Sequence, residues 1–315
     1  MPRARQFSLM SLVRYYPRIK NKTKSRKTTG VCISHSPKPD IRSLDTMQSL
    51  RRLGRRGFKG SLKHAFGLGI SGIWRTGELY RRHARVNRHN RKYDKLHGVN
   101  TWRALAPGDL ETDSANKGLS ENYIPSPENT FHFMLSQLKL DYTDFTFVDF
   151  GAGKGKALLM AADYPFKKIT GVEFASNLHQ IARNNIAHYK SRQQRCFDVD
   201  VVLEDACKLI LPEGQCLLFL YAPFFGPVLG KVLENIRQSL TENPRQTALC
   251  FIDDDVPDST IEQVAATVEE WGLFTRHAVT ELPPDSGALM PMAGTFWLSN
   301  WTAGVLPARS NPDFN

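Results

Sequence analysis

The stretch "FTFVDFGAGKGKALLMAADYPFKKITGVEF", residues 145–174, constrains this chain more than any other part of it. Residues 145–150 are apolar, aromatic and β-branched, which is the pattern of a buried strand. Residues 156–162 are rich in Ala, Leu and Met and read as a helix. Residues 168–174 read as a second strand, with Glu173 near its end. Strand, turn, helix, strand is one βαβ unit, and it requires a parallel strand pair. The turn carries Gly151, Gly153 and Gly155 at alternate positions. Three such residues permit positive φ and let a ligand approach the backbone closely.

The spacing separates the ligands that use turns of this kind. A phosphate loop needs G-x-x-x-x-G-K-[ST]. Here Gly151 to Gly155 is one residue short, and Ala157 stands where a magnesium-binding hydroxyl belongs. A dinucleotide turn needs G-x-G-x-x-G/A. Counting from Gly151 puts Lys156 at the last position, and counting from Gly153 puts Leu158 there. What fits is acid-x-G-x-G-x-G, led by Asp149, with a second acid, Glu173, 18 residues after Gly155. A carboxylate at the end of the second strand lies at the ligand crevice, within reach of ribose hydroxyls.

This stretch resembles motif I and the following acidic position of class I S-adenosylmethionine-dependent methyltransferases. "VDFGAGKGKALLMA", "PFKKITGVEFASNLHQIARNN" and "LYAPFFG" are similar to a bacterial group of small methyltransferases. A more distant similarity runs to Dot1-like protein-lysine methyltransferases. The resemblance covers roughly residues 120–300 and implies a Rossmann-like, doubly wound sheet of seven strands with the last antiparallel. It implies S-adenosylmethionine as cofactor. Asp149 falls at the acid that orients the methionine moiety, and Gly151, Ala152, Gly153 and Gly155 at the turn beneath it. Glu173 falls at the ribose acid and Phe174 beside the adenine. Asp205 falls at the acid that accepts from the adenine amino group, with the Ala206 N–H next to it. Lys154 and Lys156 read as solvent-facing charges on the loop and first helical turn.

The remaining elements follow the same alternation. Helices are expected over 126–138, 176–190, 226–240 and 259–271, and strands over 198–206, 215–225, 246–254, 274–282 and 294–300. Relatives carry Asn or Asp before the Pro-Phe pair after the fourth strand, whereas this chain has Ala222. Alanine cannot accept a hydrogen bond from a planar amino group. The expected acceptor is therefore a protein side-chain amine or a small molecule. Tyr221, Phe224 and Phe225 are candidates to line its mouth, with Tyr123 closing the other side. Asp253, Asp254, Asp255 and Glu128 are candidates to order an amine or take its proton. No Cys or Ser–His pairing suggests covalent catalysis, and the five scattered cysteines form no metal-ligand spacing.

Charge divides the chain. Residues 1–100 carry 25 Lys and Arg against 4 Asp and Glu, a balance of +21, and the remainder is −10. Residues 1–40 are expected to be a basic disordered tail, 41–119 a basic helical extension and linker, 120–303 the methyltransferase domain, and 304–315 a C-terminal tail. The basic part is compatible with an anionic partner, either nucleic acid or a membrane surface, with an organelle-targeting segment, or with a solvated tail alone. No apolar run approaches the ~20 residues of a transmembrane segment. Reduced, scattered cysteines suit a cytoplasmic protein. A second functional class stays open: a catalytically silent binding protein on the same fold, acting through its basic arm.

Overall fold

A computed structural model describes residues 70–114, 122–224, 226–254, 260–279, 282, 287–288 and 292–300. Residues 1–69, and with them the expected tail and the first part of the extension, lie outside the described residues, as do Phe225, Asp255 and the C-terminal tail.

The alternation of apolar strands and amphipathic helices closes into one seven-stranded sheet of order β3-β2-β1-β4-β5-β7-β6. Its strands are β1 (Thr146–Phe150), β2 (Lys168–Glu173), β3 (Val199–Leu203), β4 (Cys216–Tyr221), β5 (Thr247–Asp254), β6 (Phe274–Val279) and β7 (Met292–Ser299). The first five are parallel, and β7 runs antiparallel to both β5 and β6. The Rossmann-like fold with an antiparallel last strand is the one the resemblance implies. β1 and all but the last residue of β4 are buried on both faces, as continuously apolar central strands must be.

Helices cover both faces. They are α1 (Ile70–His97), α2 (Glu128–Leu138), α3 (Lys156–Ala161), α4 (Ser176–His188), α5 (Gly226–Glu242) and α6 (Thr260–Glu269). One core cluster joins Tyr93 of α1, Phe131 and Met134 of α2 and Leu158 of α3 to Phe147, Phe219 and Cys250 of the sheet. The other joins Leu229 and Val232 of α5 and Val264 of α6 to Val148, Leu218 and Phe251. The two clusters take alternate residues of the same strands, as the period of two dictates.

Element ends differ from expectation at the caps. α2 begins at Glu128 after an extended Pro127, two residues later than Ser126 would have started it. Ser176 is the first residue inside α4, and its hydroxyl donates to the Glu111 carbonyl at 3.0 Å.

Residues 81–114 pack into this same unit. Val86, Asn90, Tyr93, Asp94, Thr101 and Leu110 are buried. Asp94 accepts from the Thr101 N–H at 2.7 Å, the Thr101 hydroxyl at 2.6 Å and the Trp102 N–H at 2.9 Å, which fixes the turn after α1. Leu105 and Tyr123 exchange backbone hydrogen bonds and tie this segment to the chain entering α2.

Candidate cofactor and acceptor site

The glycine turn leaves β1 and is held to the end of β2. The N–H groups of Gly151 and Ala152 both donate to the Val172 carbonyl, at 3.0 and 2.9 Å. Gly151, Gly153 and Gly155 have φ of +79°, +56° and +81°, a region that side chains disfavour. Space imposes the same residue type independently. A Cβ on Gly151 would lie 2.6 Å from the Pro223 Cβ, and one on Gly153 would fall into the Tyr123 ring. The turn is a cradle that any side chain would fill. α3 follows at once, capped by Gly155.

Two buried carboxylates face this cradle from one side of the sheet. Asp149 pairs in register with Gly171, so Asp149, Gly171 and Glu173 project to the same face. Glu173 Oε2 accepts from the Gly153 N–H and Oε1 from the Ala175 N–H, both at 2.8 Å. It therefore clasps the turn to the start of the next helix. Each oxygen keeps a second acceptor position, which leaves room for hydroxyl donors. Burial pushes the Glu173 carboxyl up to about 7, against the pull of its backbone donors. Burial, with repulsion from Glu173 added, pushes Asp149 up to about 8. A site holding two strained carboxylates favours a ligand that brings positive charge and hydroxyls. It disfavours a pyrophosphate, whose charge would add to the repulsion. The residues present thus fit the sulfonium, amino group and ribose of S-adenosylmethionine.

Lys154 and Lys156 correct the sequence reading. Both are buried, not solvent-facing. The Lys154 ammonium donates to the Arg103 carbonyl at 2.7 Å and lies 5.0 Å over the Tyr123 ring. Burial lowers it to about 8. The Lys156 ammonium donates to Asn90 Oδ1 at 2.8 Å and lies 4.8 Å over the Tyr93 ring. The turn's two cations are thus tied to residues 90–103.

The other residues expected at the cofactor site are placed as follows. Phe174 is half-buried against Leu110, Ala175 and Leu178, beside Leu105 and Tyr123. Asp205 caps the turn that Ala206 begins: Oδ1 accepts from the Cys207 N–H at 2.9 Å, and Oδ2 from the Ser114 hydroxyl at 3.0 Å. Tyr123 closes the near side. Its hydroxyl donates to the Thr101 carbonyl at 2.9 Å. Burial raises its ionisation well above the usual range, reinforced by Asp94, Glu173, Asp149 and Tyr221.

The residues expected at the acceptor mouth are not all brought together. Tyr221 projects with Phe219 and Asp149, on the face of the two carboxylates. Phe224 is buried in the opposite cluster, among Leu220, Val228 and Leu229. Asp253 alternates with Ile252, the register partner of Tyr221, so it lies on the face of Leu249 and Phe251. The pleat separates Asp253 from Tyr221 although both end neighbouring strands. The side chain of Asp254 is outside the described residues, and Glu128 lies 3.6 Å from His89 Nε2 at the start of α2. Ala222 has φ of +33° ahead of a proline, and its N–H donates to the Ile252 carbonyl at 2.9 Å.

Sequence reasoning missed Asp94, Thr101, Ser114 and Asn185. Asn185 Nδ2 donates to the Lys154 carbonyl at 2.9 Å while its Oδ1 accepts from the Asn100 N–H at 2.8 Å, so it joins the turn to the segment that follows α1. One signal was present: Asp94 is the lone acid among residues 79–108. An acid kept in so basic a run has a structural task.

No protein-family model and no curated protein matches the chain. Among solved structures it is similar to the methyltransferase domain of bacterial CtHen1-CN, with 12% identity over 54% of this chain and 97% of that one, at a TM-score of 0.40. A S-adenosylmethionine-dependent methyltransferase from Aquifex aeolicus has 17% identity over 54% and 89%, at 0.39. The glycopeptide N-methyltransferase MtfA, complexed with S-adenosylmethionine, has 10% identity over 55% and 94%, at 0.40.

Proposed function

We propose that this chain is a S-adenosylmethionine-dependent methyltransferase. The observation that carries the reading is the buried Asp149–Glu173 pair facing a three-glycine turn at the ends of β1 and β2. Bound S-adenosylmethionine supplies a methyl group on a sulfonium, open to in-line displacement by a nucleophile. The chain's own task is to bind, orient and exclude water. Asp149 supplies negative charge for the cationic end. Glu173 accepts from the ribose hydroxyls while it clasps the turn. Phe174, Asp205 and Ala206 hold the adenine end, and Tyr123 and residues 98–105 shut the crevice from solvent.

For the acceptor, a protein side-chain amine or a small molecule fits best. Ala222 offers no side-chain acceptor where a planar amino group would need one. Tyr221 forms the aromatic wall on the carboxylate face, while Phe224 supports β4 from the core. An alkyl amine must react as the neutral form, and desolvation against the half-buried Tyr221 ring favours that form.

Calorimetric titration with S-adenosylmethionine, NAD and ATP tests the cofactor. Binding of the first alone is expected, and preference for NAD or ATP refutes the reading. Labelled cofactor incubated with cell extract tests turnover, with label expected in protein or small-molecule fractions. Binding without transfer to any fraction would leave a silent binding protein, and label in DNA adenine alone would refute the acceptor.

A further inference from the structure

The exposed side of α1 carries basic residues in register. Arg81, Arg85, Arg88, Lys92 and Lys95 are all exposed. Their spacing of four, three, four and three residues places them within about 80° of arc and along about 21 Å of helix axis. The buried residues Val86, Asn90, Tyr93 and Asp94 lie on the opposite side and fix the helix to the domain. The stripe is therefore held rigidly outward by its own back face. Among the described residues, Arg85, Arg88, Lys92 and Lys95 pair with no carboxylate. Arg91 widens the stripe, its guanidinium 4.0 Å over the Trp102 ring.

We infer that the outer face of α1 docks the phosphodiester backbone of a nucleic acid. Four unpaired cations in a row on one rigid element cost self-repulsion, which a partner with regularly spaced negative charge relieves. A membrane surface fits less well. A surface-lying helix needs an apolar face to bury among lipid headgroups, and the apolar side chains Val86 and Tyr93 are already spent on the domain core. On the described outer face Leu96 is the one large exposed apolar side chain, and a single such residue is ordinary surface. Arg and Lys at this spacing reach successive phosphate oxygens, and the inferred contacts are to the backbone, whose charge is the same for every sequence.

The test uses the full chain and fluorescein-labelled DNA and RNA, single- and double-stranded, in anisotropy titrations from 50 to 300 mM salt. The wild type is expected to bind, with affinity falling steeply with salt. Replacing Arg85, Arg88, Lys92 and Lys95 together by Gln should weaken binding on every sequence and reduce the log Kd–log salt slope by about 3. Binding of S-adenosylmethionine is unaffected, because none of the four touches the crevice. An unchanged slope overturns the inference and assigns binding to residues 1–69. So does equal or tighter binding to phosphatidylserine vesicles or polyglutamate. In the wild type itself, bound oligonucleotide should protect Lys92 and Lys95 from amine acylation, read by mass spectrometry. Unprotected lysines in a saturated complex overturn the inference whether or not the quadruple variant folds.

Discussion

Asp149→Asn isolates a proton that ligand binding must expel. The Asp149 carboxyl lies at about 8 instead of 3.8, because burial disfavours its charge and Glu173 repels it. At that value about one molecule in ten carries the charge at pH 7. A cationic ligand beside the carboxylate favours the ionised form. Binding at pH 7 should therefore release close to one proton. The ionised fraction falls from about one half at pH 8 to about one tenth at pH 7 and about one hundredth at pH 6, so Kd for S-adenosylmethionine rises about fivefold over the first unit and about tenfold over the second. The Asn variant binds more weakly at pH 8 and has no such proton to lose. Its Kd changes by no more than about twofold between pH 8 and 7, the start of the limb that Glu173, at about 7, adds. Without ligand the linkage has a definite sign. The folded carboxyl is raised above its unfolded value, so the folded state holds more protons between about pH 4 and 8, and stability falls as pH rises through that window. The Asn variant should flatten this decline in Tm. Calorimetry in phosphate and in Tris, whose ionisation heats differ, counts the protons. No proton released at pH 7, with a flat wild-type Kd from pH 6 to 8, refutes the reasoning.

Glu173→Ala should weaken S-adenosylmethionine binding by about 1–3 kcal/mol and also lower stability, since the Gly153 and Ala175 N–H groups lose their acceptor; calorimetry and urea unfolding measure the two effects separately. Asn90→Ala removes the Oδ1 that receives the Lys156 ammonium and should cost about 1.5–3 kcal/mol in urea unfolding. A loss below about 0.5 kcal/mol would show that α1 is not integral to the domain. Gly171→Ala places a Cβ 2.7 Å from that of Ala152 and 2.9 Å from Leu158 Cδ1, so overpacking of α3 on β2 should cost about 1–3 kcal/mol. A neutral result by thermal melting would mean the helix shifts freely.

The turn was legible because its signals are local. Three glycines at alternate positions meet a backbone need for positive φ, and the observed angles of +79°, +56° and +81° are that need. The first βαβ unit followed from alternating periods, the seven-stranded sheet with its antiparallel last strand was implied by the resemblance, and the strand order came from the structure. Asp149 and Glu173 were found through their spacing from the turn, and one sheet face brings them together. The sequence could not show where the two lysines of the turn go. A lysine is exposed by default, and burial needs acceptors that lie 51 residues away for Lys154 and 66 for Lys156. Nor could it separate Tyr221 from Asp253 and Phe224. All three stand near strand ends, but the face each takes depends on register across β4 and β5, which spacing along one strand does not encode. By itself the sequence determined the turn, its acids and the βαβ frame, because φ preference and periodicity act between near neighbours. Only the tertiary structure decided that Asn90 and the Arg103 carbonyl receive the two lysines of the turn, because a buried charge is stabilised by whichever distant carbonyl or amide the fold delivers to it.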